Sequence, residues 1–275
     1  MKKPLISVIL GTYNPVLEHL EKAIKSIINQ SYSNWEMWLC DDGSDKEMQI
    51  GIKELSKIDN RIHYMRNVEN KGLAFSLNRC LKHSKGEFIA RMDDDDYSTE
   101  DRFECQVNFL MHNTEYSWVG SLAYLFDETG IWGYGRRIEI PDKKAYLKYS
   151  PYIHPSVMFR KSVFDNAGVY CTKKTTLRCE DYELFMRFTA LGFRGYNIQE
   201  ELFWYRESSK HLNRKLKYCI NEMLIRIQGF YRMKIGGCRS FIYVFKPIIV
   251  YLMAQIPAIA QFIRVRKPDG NCKTK

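Results

Sequence analysis

Apolar and polar positions along the first 110 residues fall into short blocks of two alternating kinds. LISVIL (5–10) is an unbroken apolar, β-branched run of buried-strand length. Asn14-Pro15 then reads as a helix start, with Asn as the cap and Pro at the first helical position. Leu17, Leu20, Ile24, Ile27 and Ile28 follow at helical spacing as one apolar face. EMWLC (36–40) is a second strand, stopped by the turn-rich DDGSD. A helical stretch at 46–57, a short strand at Ile62–Met65 and a helix from Leu73 to Leu81 come next. EFIAR (87–91) is a further strand and ends at four consecutive aspartates. This β-α-β-α-β-α-β order predicts an α/β fold, a mostly parallel sheet flanked by helices. Ligands of such sheets bind beyond the carboxyl ends of the strands, which here carry Thr12-Tyr13, Asp41-Asp42 and Asp93–Asp96.

The pattern loosens from Trp118 to Tyr152, which is aromatic-rich and reads as short strands and loops. A helix returns at 180–191, with Leu184, Phe185, Phe188 and Leu191 on one side and Gly192 as its stop. Residues 211–234 place Leu212, Leu216, Ile220, Leu224, Ile227 and Tyr231 at helical spacing against Lys and Arg, an amphipathic basic helix. Beyond it, Pro247 to Ile263 forms an uncharged run of 17 residues, short of the roughly 20 that a spanning helix needs. Flanked by Lys246 and by Arg264, Arg266 and Lys267, the run is expected to insert in the plane of a membrane surface. The competing expectation is a helix buried against the body.

Composition sharpens the division. The 275 residues suffice for one large domain, or one domain with an appendage. Net charge is +10, but residues 206–275 hold 15 Lys/Arg against three carboxylates, so the tail is +12 and residues 1–205 are −2. A near-neutral body with a basic extension points to an anionic partner, membrane or nucleic acid. Eight scattered cysteines without a C-x-x-C pair argue against a zinc ribbon or a disulfide scaffold and favour a cytoplasmic setting. The apolar run after the two N-terminal lysines, Leu5 to Leu10, is too short for a signal sequence.

MDDDDYS is the most informative string. A charge run is commonly a solvated loop, yet this one directly follows a buried strand. Alternating sides of an extended chain would turn Asp93 and Asp95 the same way. Clustered carboxylates repel unless a cation neutralises them, and carboxylate oxygens suit hard Mg²⁺ or Mn²⁺, which take substrate phosphates as further ligands. The run lacks the Gly and closing Glu of an EF-hand, and no P-loop occurs anywhere.

Five strings in order from about Leu5 to Arg206 carry a resemblance: ISVILGTYN, SIINQSYSNWEMWLCDDGSD, NVENKGLAFSLNRCLKHSKGEFIARMDDDD, HPSVMFRKSVF and EDYELFMRF. Together they resemble the family 2 glycosyltransferases of the GT-A fold. The resemblance implies a catalytic domain at 1–205, with a nucleotide-sugar half at about 1–115 and an acceptor half at about 116–205, and a helical basic extension at 206–275. It implies a nucleoside diphosphate sugar donor, most often a UDP-sugar, and inversion at the anomeric carbon. Asp42 would bond the uracil, and otherwise is a turn-former before Gly43. Thr12 and Tyr13 would line the nucleoside pocket. Lys71 would belong to the loop closing over base and ribose, with Asn70 and Asn78 as weaker candidates; Gly72 reads equally as a helix start. The D-x-D motif maps onto Asp93 and Asp95 around Asp94, with Asp95 on the metal, Asp93 at the ribose or metal shell, and Asp96 extending the motif. Where the family often has Pro before its "ER", this chain has Glu100-Asp101-Arg102. The base maps onto Asp181, which otherwise caps its helix with Glu180. His154 is a further candidate near the acceptor or the metal, and Arg178 a candidate to assist at the diphosphate.

The expected function is therefore an inverting, metal-dependent glycosyltransferase at the inner face of a cell membrane. Its acceptor would be a lipid-linked glycan of a surface polysaccharide, with a protein or soluble glycan as the alternative. A nucleic-acid binder using the basic tail is the competing class; no groove-reading motif supports it, and it leaves the apolar tail run unexplained.

Overall fold

The computed structural model describes residues 3–208 and 215–256. The first half follows the alternating pattern closely: β1 (Ile6–Thr12), α1 (Leu17–Ile28), β2 (Trp35–Asp41), α2 (Lys46–Leu55), β3 (Ile62–Arg66), α3 (Leu73–His83) and β4 (Phe88–Met92). Then come β5 (Tyr97–Ser98), α4 (Arg102–His112), β6 (Trp118–Asp127), β7 (Gly130–Gly135), β8 (Met158–Arg160) and α5 (Lys161–Ala167). The remaining elements are α6 (Glu180–Ala190), β9 (Gly195–Arg206), α7 (Leu216–Arg232) and α8 (Cys238–Met253).

One sheet runs β3-β2-β1-β4-β8-β6-β9-β5, with β7 attached to β6. β1 lies parallel to both β2 and β4, and β2 to β3. Strand order therefore reverses between β1 and β4, the kind of switch point where α/β sheets open a ligand crevice. β1 is buried on both faces because its side chains alternate. Ile6, Val8 and Leu10 join α1 and α4 in one core, and Ile9 joins Leu77 and Cys80 of α3 in the other.

Three departures from the sequence pattern have local causes. Asn14 does not cap α1, whose N-cap is Val16. Its Oδ1 instead accepts the Asp45 N–H at 2.9 Å and its own N–H donates to Ser44 Oγ, so Asn14 joins the ends of β1 and β2. The 118–152 region holds the ten-residue strand β6, which is largely buried and shows no alternation. β6 pairs in parallel with the twelve-residue β9, which brings Arg206 into the sheet at the edge of the expected catalytic domain.

α7 packs on α6 and α8, and its Ile225 and Phe230 share a core with Phe185 and Phe188 of α6. α8 packs Val244 into that core but leaves Phe241, Ile242, Ile249 and Leu252 exposed, and it contains Pro247. Among the described residues no helix is long and apolar enough to cross a membrane. The far part of the Pro247–Ile263 run and the cations after it lie outside the described residues.

Candidate active site

The crevice is framed first at β1 and β2. Thr12 is in register with Asp41, and the Asp42 N–H donates to the Thr12 carbonyl at 2.8 Å. Asp42 is buried, and its carboxylate holds the NKGL loop: Oδ1 accepts the Lys71 N–H at 3.0 Å and Oδ2 the Gly72 N–H at 2.7 Å. Asn67 donates to the same Oδ1. Gly72 caps α3 with φ 91°, so the loop turns into the helix at the carboxylate. Gly43 has φ 80°, and a Cβ there would lie 2.6 Å from the Glu69 carbonyl carbon, which is why the DDG turn takes glycine. The Lys71 ammonium swings outward to pair with Glu69. Tyr13, 50% exposed, offers a ring beside this pocket.

The four aspartates after β4 diverge into separate tasks. Asp93 pairs with Arg91, a guanidinium only 1% exposed beneath the run. Asp94 accepts the Thr12 hydroxyl, tying β4 to β1. Asp96 is buried; its Oδ1 accepts the Arg206 N–H at 2.6 Å, and its Oδ2 has no partner among the described residues. Arg206 Nε also donates to the Asp95 carbonyl at 3.1 Å. One carboxylate oxygen from each of Asp93, Asp95 and Asp96 lies within 4.8 Å of the others. Burial, then Asp93 and Asp94, push Asp95 up to about 7. Burial raises Asp94 to about 6 against the Thr12 bond, and Asp96 well above the carboxylate range. Three hard oxygen donors, mutually repelling, with one oxygen unspent, fit a divalent cation such as Mg²⁺ or Mn²⁺.

The third side of the site comes from α6 and the segments before it. Asp181 sits in the first turn of α6. Burial raises its carboxyl and Arg91 opposes that rise. His154 Nε2 meets the Tyr170 hydroxyl at 2.8 Å, and burial holds the imidazole well below its ordinary value, hence neutral. His154 is not in the carboxylate group of Asp93, Asp95 and Asp96. Asn78 brackets the Tyr170 backbone through its N–H and its carbonyl, at 2.9 and 2.8 Å. Arg178 has φ 68°, and its charge opposes the rise that burial imposes on the Glu180 carboxyl.

Arg91 unites these parts, since Asp93, Asp96, Asp181, Tyr170 and His154 all feel its charge. Sequence reasoning missed it, although an arginine inside the apolar strand EFIAR was a usable signal. Arg206 and Tyr170 had no local signal, because distant strands and loops deliver them.

A model of the family described as glycosyl transferase family 2 matches residues 7–183. The Bacillus subtilis (strain 168) protein EpsE is 39% identical over 248 residues, 90% of this chain and 88% of that protein. A UDP-Gal:alpha-D-GlcNAc-diphosphoundecaprenol beta-1,3-galactosyltransferase of Escherichia coli is 29% identical over 258 residues, 87% of this chain and 88% of the relative. Among solved structures, S. aureus TarS 1–349 in complex with UDP-GlcNAc matches with a TM-score of 0.64 at 17% identity. That match covers 88% of this chain and 71% of TarS 1–349, a likeness of fold.

Proposed function

Because the chain belongs to glycosyl transferase family 2 and is an enzyme of GT-A fold, we propose that it moves a sugar, with inversion, from a nucleoside diphosphate sugar to a hydroxyl of a glycan acceptor. The donor is a UDP-sugar. The acceptor is a lipid-linked intermediate of surface polysaccharide synthesis, met at the cytoplasmic face of a membrane. The observation that carries this reading is the convergence of Asp93, Asp95 and Asp96 beside the Asp42-held loop, with Asp181 in electrostatic reach through Arg91. The names of two similar proteins support it: one takes UDP-Gal to a diphosphoundecaprenol-linked sugar, and the other was solved with UDP-GlcNAc.

On this reading each residue takes a role. Thr12, Tyr13, Asp42 and the backbone of Lys71 and Gly72 enclose the nucleoside. Asp93, Asp95 and Asp96 would hold Mg²⁺ or Mn²⁺, which would supply positive charge to offset that of the leaving diphosphate. Asp181 accepts the proton of the attacking hydroxyl. Its raised carboxyl brings the proton affinity closer to neutrality, and Arg91 keeps the ionised form accessible. Neutral His154 fixes the Tyr170 hydroxyl on the acceptor side. The exposed apolar residues of α8 rest on the membrane.

The test is a screen of UDP-, GDP- and dTDP-sugars for transfer or donor hydrolysis. Turnover should require added Mn²⁺ or Mg²⁺ and stop in EDTA. Undiminished turnover in chelator would sink the metal assignment.

A further inference from the structure

We propose that the loop 173–178, with the first turns of α7, binds the diphosphate of a polyprenyl diphosphate-linked acceptor; this rests on the glycosyl transfer proposed above. The loop joins Tyr170, beside His154, to Glu180 and Asp181. It is therefore on the side from which the acceptor hydroxyl must reach the base. The donor diphosphate belongs, on our reading, to the carboxylate group at the end of β4, so Arg178, expected from the family resemblance to assist there, is assigned to the acceptor instead.

The backbone of the loop is firmly held. Lys174–Thr176 forms a single 3₁₀ turn, and the Thr176 hydroxyl donates to the Cys171 carbonyl at 2.8 Å. The Cys179 N–H returns to the Thr176 carbonyl at 2.8 Å. From α7, Asn221 Nδ2 donates to the carbonyls of Lys174 and Leu177, at 3.2 and 3.3 Å. Arg178 keeps its left-handed φ of 68°, a conformation that long side chains rarely adopt and that tends to persist at functional sites.

The side chains are left for something else. Lys173, Lys174 and Arg178 are exposed and make no ion pair among the described residues. Exposed Lys215 and Lys217 begin the helix that clamps the loop. The same loop and helix carry Leu177, Leu216 and Ile220, all exposed apolar side chains. The body as a whole is slightly acidic, so this concentration of cations beside Asp181 is local. Several cations around a few apolar side chains fit an amphiphile with a compact, multiply charged head and a hydrocarbon chain. Arginine matches phosphate oxygens in pairs, and lysine adds point charge.

The experiment compares full-length protein and the Lys173→Ala/Lys174→Ala/Arg178→Ala variant on two kinds of vesicle. One is phosphatidylcholine carrying polyprenyl diphosphate. The other is phosphatidylcholine carrying phosphatidylglycerol at matched charge. The wild type should prefer the diphosphate vesicles, and the variant should lose that preference, with affinity down at least about tenfold. The Lys173→Arg/Lys174→Arg variant should retain it. Thermal stabilisation by UDP with Mn²⁺, measured in parallel, should be equal in all three and reports both folding and the donor site. Equal binding of the two vesicle types by the wild type, or an unchanged alanine variant, would overturn the assignment. So would loss of the UDP effect in that variant, which would move the cations to the donor side. A wild type that prefers diphosphate vesicles but shows no UDP effect would instead count against the donor reading and leave the loop assignment supported.

Discussion

Asp181 and Asp95 are both carboxylates raised by burial, yet they answer to different measurements. At Asp181 the change to Asn is nearly isosteric, so the first turn of α6 and the donor site should survive it. Only the proton acceptor is lost, and kcat should fall by about 10² to 10⁴, with the UDP dissociation constant and Tm nearly unchanged. Wild-type kcat in Asp181→Asn would make Asp181 a helix cap and put the base elsewhere. At Asp95 the informative variable is pH. Its carboxyl stands at about 7 in the fold, against about 4 in an open chain. A raised native value gives stability that is whole below about 4 and fades as pH rises through about 7. A cation competes with the proton for the same oxygen, so it should stabilise most where that proton has left. The Mn²⁺-induced rise in Tm should therefore be small near about pH 5 and grow toward about pH 8. A rise that is flat with pH would remove Asp95 from the ligand set.

Elements differ in how openly the sequence announces them. The strands and helices of residues 5–92 follow from local pattern, since the strands are short segments dominated by apolar residues and the helices between them show apolar positions at helical spacing. The polar strand ends at Thr12, Asp42 and Asp93–Asp96 could be read as one site for the same reason. β6 stayed hidden because a largely buried strand has no alternation, β9 because its buried positions lose their alternation midway, and their pairing spans some eighty residues of chain. The convergence on Arg91 was equally hidden, since α6, β8 and the segment around Tyr170 reach it only through the folded sheet. α7 shows a further ambiguity, because an amphipathic basic helix can face either a membrane or a core. Arg226 decides for the core. It is 1% exposed and donates to the Leu147 carbonyl at 2.6 Å and the Tyr243 carbonyl at 3.2 Å, while pairing with Glu222 at 2.8 Å. Arg226→Met should cost about 3–5 kcal/mol, because it breaks a buried ion pair and leaves the Leu147 and Tyr243 carbonyls without that donor. Urea unfolding measures this, and an unchanged midpoint would make α7 a detachable appendage.

For the whole molecule, the apolar face of α8 and the tail's positive charge should combine in attachment to anionic vesicles. Truncation near residue 240 is a poor test, because it removes Val244 from the core and the Lys246 bond to the Lys148 carbonyl at 3.0 Å. Replacing exposed Phe241, Ile242 and Leu252 with Ser leaves those contacts in place. In flotation, wild-type binding should weaken with salt yet persist, whereas the triple Ser variant should detach at high salt, because charge is screened and apolar insertion is not. Equal flotation of the two at high salt would show that α8 plays no part. The reach of β9 has a last consequence, in biosynthesis. Arg206 meets Asp96 across 110 residues. On a ribosome the aspartates emerge roughly 5–20 s before it, at about 5–20 residues per second. During that interval Asp94 can already meet Thr12 and Asp93 can meet Arg91, but Asp96 lacks the N–H that it accepts, and pairing over such a separation is slow to form. A chain cut short before the end of β9 would thus hold every one of the four aspartates and still lack the backbone donor that Asp96 accepts, a gap that no described segment upstream of the last strand fills.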